Sequence, residues 1–248
     1  MRKTLLALLF LAATQLNATH ILSGHFTYEY VSSSGNQKTY EINLYLFRDV
    51  NGINMPSTAT VYYKKSNQSG NGTSLTLNQV GTGTTGPVTC SSNLNYTVHH
   101  YQATVTLDAG SAYDIAYSTC CRPWGVDNIS NASSQSIYLT TKVVTSRGDV
   151  RNYNNSVEFD NVVFSAPINK NVPFQLCMQD PDGDSLSFQV TTVIVGNANT
   201  LTPTNLTYSA GYSNSAPFGT TGTFAIDSAN RIMIAKSGIQ QNNTINIR

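Results

Sequence analysis

An all-β fold, arranged as two β-sandwich domains in tandem, is predicted by three observations. Thr, Val, Ile and Tyr are abundant and are cut at short intervals by Gly, Asn and Ser clusters, which is the composition of strands joined by turns. From residue 19 onward no stretch sustains the apolar period of about 3.6 residues that marks an amphipathic helix. Apolar and polar residues instead alternate over short runs, so each strand has one face to bury against another sheet.

In chain order, Met1-Arg2-Lys3 is a basic start and Leu5 to Ala13 an apolar run. The run is too short to cross a bilayer as a helix, for which about 20 residues are needed, and it reads as a secretory signal peptide. Cleavage is expected after Ala18, although Leu16 stands where a small residue is preferred. Residues 1–18 are therefore set aside, and the mature chain is expected to be secreted or extracellular and associated with the cell surface. No later stretch is apolar enough to span a membrane.

Residues 19–147 form the expected first domain. His20 to Val31 and Thr39 to Val50 make a hairpin around a turn at Ser32 to Asn36. Alternation places Tyr40, Ile42, Leu44 and Leu46 on one face, with Glu41, Asn43, Tyr45 and Phe47 on the other. The second face ends in aromatics, so partial cover is expected there too. Strands follow at Ala59 to Lys64, Leu75 to Val80, Asn95 to Leu107, Tyr113 to Thr119 and Ile137 to Thr145, separated by Gly-rich loops and the Asp108-Ala109-Gly110-Ser111 turn. Arg147-Gly148-Asp149 and the polar run Asn152 to Asn155 mark the boundary. Residues 148–248 are the expected second domain, with strands at Val157 to Phe164, Phe174 to Met178, Leu186 to Val195, Thr223 to Ile226 and Arg231 to Ala235.

The charge balance excludes one function class. Lys plus Arg number 14, Asp plus Glu 13, and the net charge is +1, so there is no basic stripe for nucleic acid. No catalytic set stands out. Gly211-Tyr212-Ser213-Asn214-Ser215 lacks the closing glycine of a nucleophile elbow, and Asp108, Asp114, Glu158, Asp160 and Asp227 stand mostly in turn-like contexts. The expectation is a protein that is not an enzyme. The histidines His20, His25, His99 and His100 lack zinc-ligand spacing and read as structural. Arg147-Gly148-Asp149 matches the tripeptide that integrins read, and an exposed interdomain turn has the same composition. The tyrosines and Trp124 suit a sugar-stacking platform, so a carbohydrate-binding module is the alternative function. Asn-x-Ser/Thr triplets begin at Asn71, Asn95, Asn128, Asn131 and Asn205, among others.

The acidic residues are unevenly placed. Asp180, Asp182 and Asp184 fall within the run Asp180-Pro181-Asp182-Gly183-Asp184. In an extended backbone, positions i, i+2 and i+4 share a face, so three carboxylates are crowded and repel unless a cation sits among them. Calcium, which takes six to eight oxygen ligands, is the expected cofactor, with Asp227 as a fourth ligand. The same residues also make a solvated Pro-Asp-Gly turn. The spacing is not that of an EF-hand.

Cys90, Cys120, Cys121 and Cys177 suggest disulfides in an exported chain. Adjacent strand residues face opposite ways, so a Cys120–Cys121 bond is disfavoured. The expected pairing is Cys90 with one of the adjacent pair and Cys177 with the other, or else some thiols stay free.

Several pieces stand in a telling order: Thr19-His20-Ile21-Leu22-Ser23-Gly24-His25-Phe26-Thr27-Tyr28, Tyr40-Glu41-Ile42-Asn43-Leu44-Tyr45-Leu46-Phe47-Arg48-Asp49, Cys120-Cys121-Arg122 with Asn128-Ile129, the acidic run, then Tyr208-Ser209-Ala210-Gly211-Tyr212-Ser213 and Gly222 to Asp227. This order resembles the N-terminal region of large secreted surface proteins of Bacteroidetes, which carry PKD-like or cadherin-like repeats and gliding-motility-associated sorting domains. The resemblance implies immunoglobulin/cadherin-like sandwiches and a non-catalytic structural or cell-adhesion module at the cell surface. Its partner would be an extracellular protein or a glycan surface. Such proteins carry cysteines at the places of Tyr30 and Val50, where the joint absence implies a pair across the hairpin. They also continue beyond the place where Ile245-Asn246-Ile247-Arg248 ends this chain. A truncated second domain with an open sheet edge is expected, and with it self-association.

Overall fold

The computed structural model describes residues 21–81, 84–87, 95–146, 152–159, 164–227, 232–241 and 243–247. The first hairpin joins β1 (Ile21–Ser34) to β2 (Gln37–Asp49). Its strands run further into the turn than expected: Ser34 stands opposite Gln37, leaving Gly35 and Asn36 as a two-residue connection. Gly35 has φ 55°, the left-handed conformation such a tight turn demands.

Next come β3 (Thr58–Lys65), β4 (Thr73–Gln79), β5 (Thr84–Pro87), β6 (Asn95–Asp108), β7 (Ala112–Thr119) and β8 (Ile137–Val144). They complete one eight-stranded antiparallel sheet in the order β1-β2-β6-β4-β3-β7-β8, with β5 also paired to β6. Alternation decides which face is core. Tyr40, Ile42, Leu44 and Leu46 are fully buried, as their face predicts. They share a single cluster with Phe26 of β1, Val61 of β3, Leu77 of β4, Tyr101 of β6, Ile115 of β7 and Val143 of β8. A cluster fed from both ends of one sheet requires the sheet to fold over its own core, so that its halves face each other as sandwich layers do. At the closure β1 lies against β8, and a Cβ on Gly24 would stand 2.6 Å from Leu139 Cδ1.

Beyond the sheet the strands are short: β9 (Glu158–Phe159), β10 (Val172–Gln175), β11 (Met178–Gln179), β12 (Val190–Thr191), β13 (Ile194–Val195), β14 (Thr204–Asn205), β15 (Thr223–Asp227), β16 (Ile232–Lys236) and β17 (Asn246–Ile247). They form a three-stranded sheet, β10-β16-β15, and the pairs β11-β9, β12-β17 and β13-β14. Leu176, Met178 and Met233 are the buried centre of this region, packed by Phe174, Leu186, Phe188 and Phe224. The strand expected over Leu186 to Val195 is paired only at its β12 and β13 portions. β17 pairs with β12.

The expected boundary at 147/148 lies outside the described residues. On either side of it the two regions share buried surface. Ala116 of β7 and Tyr138 of β8, on the outer face of the large sheet, are covered by Ala198, Ile194 and Leu201. Ile129 and Ala132, from the β7–β8 connection, pack with Val193 and Leu206. There is no α-helix among the described residues, and no helix there is long and apolar enough to cross a membrane.

Candidate functional site

The acidic run follows β11 as a turn, not as an extended strand. The Gly183 N–H donates to the Asp180 carbonyl at 3.1 Å, and Gly183 sits at φ 79°. Asp180 organises the rest: its Oδ1 accepts the N–H groups of Asp182 at 2.8 Å and of Asp184 at 3.2 Å. A carboxylate side chain bonding its own backbone two residues on is a known turn device. The three carboxylates meet because the chain winds around one of them. Oxygens of Asp180, Asp182 and Asp184 all lie within 4.8 Å of one another.

Asp182 reaches furthest inward and is 9% exposed. Its Oδ2 accepts the backbone N–H of Asn155 at 2.7 Å, and its Oδ1 accepts the Asn155 side-chain amide at 3.0 Å. The other end of that amide accepts the Tyr30 N–H at 2.7 Å. Next to it, Ser156 Oγ accepts the Tyr28 N–H at 2.7 Å, and the Tyr28 carbonyl accepts the Ser156 N–H at 2.9 Å. Segment 152–157 therefore caps the outer edge of β1, which otherwise presents unpaired backbone, and the acidic turn is tied to that cap. Tyr153 stacks on Tyr30 with centroids 4.4 Å apart, and Asn154 donates to the Tyr28 hydroxyl at 3.0 Å. Burial raises the Tyr28 hydroxyl pKa, and the three carboxylates add to the rise. Burial likewise pushes Tyr40 up to about 12, with Asp182 contributing.

The other expected residues are placed differently. Asp227 ends β15 and is not among the gathered carboxylates. The sulfurs of Cys120 and Cys121 stand side by side, and Cys177 is exposed. Cys90 lies outside the described residues. The turn conformation brings the adjacent sulfurs to one side, where a regular strand would have parted them. Tyr30 stands opposite Tyr40, whereas Val50 lies past the far end of the hairpin, beyond the pair Ile21–Arg48. The two positions are not neighbours, and a bond across the hairpin has no geometry in this chain. Asp108 pairs with Lys65 and Asp114 with Lys142, each at 2.8 Å. His20, Asp160 and Arg147-Gly148-Asp149 lie outside the described residues.

The aromatic face of β2 is covered by its own neighbours. His25, Tyr45 and His100 stand directly opposite one another on β1, β2 and β6. Their rings stack at 5.0 and 4.3 Å with interplanar angles of 20° and 13°. Ring faces used on each other are not free for a sugar. Trp124 is the exception: it is 72% exposed.

Two residues of consequence escaped the sequence reading. Asn155 belonged to what read as a polar linker, and nothing local distinguishes it from its neighbours. Arg122 stood beside the cysteine pair without a role. It is buried in the loop that follows β7, its N–H donating to the Gln135 carbonyl at 2.9 Å.

Comparison with protein-family models, with curated proteins and with solved structures returned no match.

Proposed function

We propose that this protein is a secreted or surface-displayed structural module of adhesive function, without catalysis, in which calcium at Asp180, Asp182 and Asp184 locks the short-stranded region against the large sheet. The observation that supports it is the relay from Asp182 through Asn155 to Tyr30. A cation that neutralises the crowded carboxylates stabilises the turn, and through Asn155 it stabilises the cap on β1. The order of motifs resembling Bacteroidetes surface proteins with PKD-like or cadherin-like repeats supports the same reading, and with it an immunoglobulin/cadherin-like plan for the region after residue 148. An extracellular protein or glycan is the partner this reading implies.

Thermal unfolding of the mature chain in calcium and in chelator tests the proposal. Calcium about a hundredfold above its Kd is expected to raise the midpoint by about 5–10 °C. The increment is expected to vanish in Asp184→Asn and in Asp182→Asn. An unchanged midpoint in the wild-type chain reduces the stretch to a solvated turn and removes calcium from the function. The alternative, a carbohydrate-binding module, is favoured by the exposure of Trp124.

A further inference from the structure

Arg122 is 7% exposed. Among the described residues its guanidinium donates from Nη2 to the Ile194 carbonyl, at 3.3 Å, and its Nε is buried without a hydrogen-bond partner there. The ion pairs among the described residues use Lys65 and Lys142, so no described carboxylate neutralises Arg122. Burial pulls the guanidinium down to about 10, still charged at neutral pH. A buried charge with neither counter-ion nor full hydrogen bonding is strongly destabilising unless something supplies the missing partner.

The residue does not face solid core. It lines a cleft of about 1820 Å³ that Pro123, Trp124 and Val126 also border, together with Thr191 to Ile194. The exposed indole of Trp124 follows two residues after the buried guanidinium. The other cation on the cleft wall, Lys142, is already paired with Asp114 at 2.8 Å. One uncompensated positive charge matches a monovalent carboxylate better than a phosphate or a sulfate cluster, which draws several cations. Besides many apolar side chains and the carboxylates of Asp49 and Asp180, the wall carries neutral hydroxyl and amide groups, among them Ser23, Thr140, Thr192 and Asn205. These suit sugar hydroxyls, and an indole face suits the apolar side of a sugar ring.

We infer that Arg122 and Trp124 form a binding subsite for a uronic acid residue, with the guanidinium holding the carboxylate and the indole stacking on the ring. The inference rests on the carbohydrate alternative for its ligand class and is independent of calcium. The ligand's carboxylate neutralises the Arg122 guanidinium and so stabilises the fold that positions it.

The test is thermal unfolding of the mature chain in chelator, with sodium glucuronate titrated through the millimolar range, against glucose and sodium acetate as controls. Chelator keeps the outcome separate from the calcium reading. At glucuronate about tenfold above its Kd the midpoint is expected to rise by about 3–6 °C, with no rise in glucose. Trp124→Ala is expected to weaken glucuronate about two- to tenfold. Arg122→Met is expected to abolish the response without lowering the ligand-free midpoint, because it removes an uncompensated buried charge. If that variant fails to fold, Arg122→Lys serves, since it keeps the charge, loses the planar fork and is expected to bind at least tenfold more weakly. A wild-type midpoint that glucuronate leaves unchanged overturns the inference. So does an equal rise in acetate, which would mean a bare carboxylate site with no sugar recognition, and so does an undiminished response in the Arg122 variants.

Discussion

Asn128 holds Thr244 from both sides: its side-chain amide donates to the Thr244 carbonyl at 2.8 Å, and its side-chain oxygen accepts the Thr244 N–H at 3.0 Å. The pair imitates one rung of a β-ladder, with a side chain standing in for a strand. Asn128 is fully buried, so the triplet it begins is not a glycan acceptor in the folded protein. The clamp fastens the chain just before β17 to the β7–β8 connection. Asn128→Ala leaves two half-buried backbone groups of Thr244 without these partners and is expected to cost about 1–3 kcal/mol. Asn128→Asp, which puts an acceptor against the Thr244 carbonyl, is expected to cost at least as much. Denaturant unfolding of the two variants checks both values.

Asn155 makes a second joint of the same kind. Asn155→Ala removes the amide bond to Asp182 and the acceptor for the Tyr30 N–H, and is expected to cost about 1–2 kcal/mol. The same variant is expected to shrink the calcium increment in thermal unfolding, because the turn is then no longer tied to the sheet edge. A full increment in Asn155→Ala would show that the turn binds calcium without reporting it to β1.

Gly24 is where the large sheet closes. A Cβ there would lie 2.6 Å from Leu139 Cδ1 and 2.8 Å from the Tyr45 carbonyl oxygen, and backbone cannot move aside as a flexible side chain does. Gly24→Ala is expected to destabilise by about 1–3 kcal/mol, the usual range for overpacking. Leu139→Ala in the same chain relieves one of the clashes and is expected to be less than additive with it. A double-mutant cycle by chemical denaturation measures that coupling.

His25 predicts the acid side of the stability profile. Burial lowers its pKa from 6.5 to about 4, so the folded state holds it neutral while the unfolded chain takes up a proton near its ordinary pKa. Its contribution is therefore fully present above about pH 6.5 and is lost as the pH falls toward 4. The loss amounts to roughly 3 kcal/mol at about 1.4 kcal/mol per pH unit. Burial lowers His99 and His100 in the same direction. His25→Phe keeps a ring beside Tyr45 and is expected to flatten the fall in stability between pH 6.5 and 4, measured by urea unfolding at a series of pH values.

The first half of the chain was largely legible because its strands are long. Thirteen residues of β2 give alternation enough repeats to assign Tyr40, Ile42, Leu44 and Leu46 to the core before any partner strand is known. The acidic turn was legible for a similar reason, since Asp180 to Asp184 interact with one another and local sequence contains every term. The second half resisted because strands of two to five residues are too short to show a period; pairing across the fold selects them. What the sequence determined by itself was the strand content, the buried face of the first hairpin and the crowding of the three carboxylates. Tertiary structure alone decided that Asn155 would meet Asp182, that Asn128 would meet Thr244 and that Arg122 would be buried beside a cleft. Each of those pairings spans from 27 to 116 positions of chain, or depends on walls built by distant segments. No local pattern encodes an encounter that exists only once the sheet has closed.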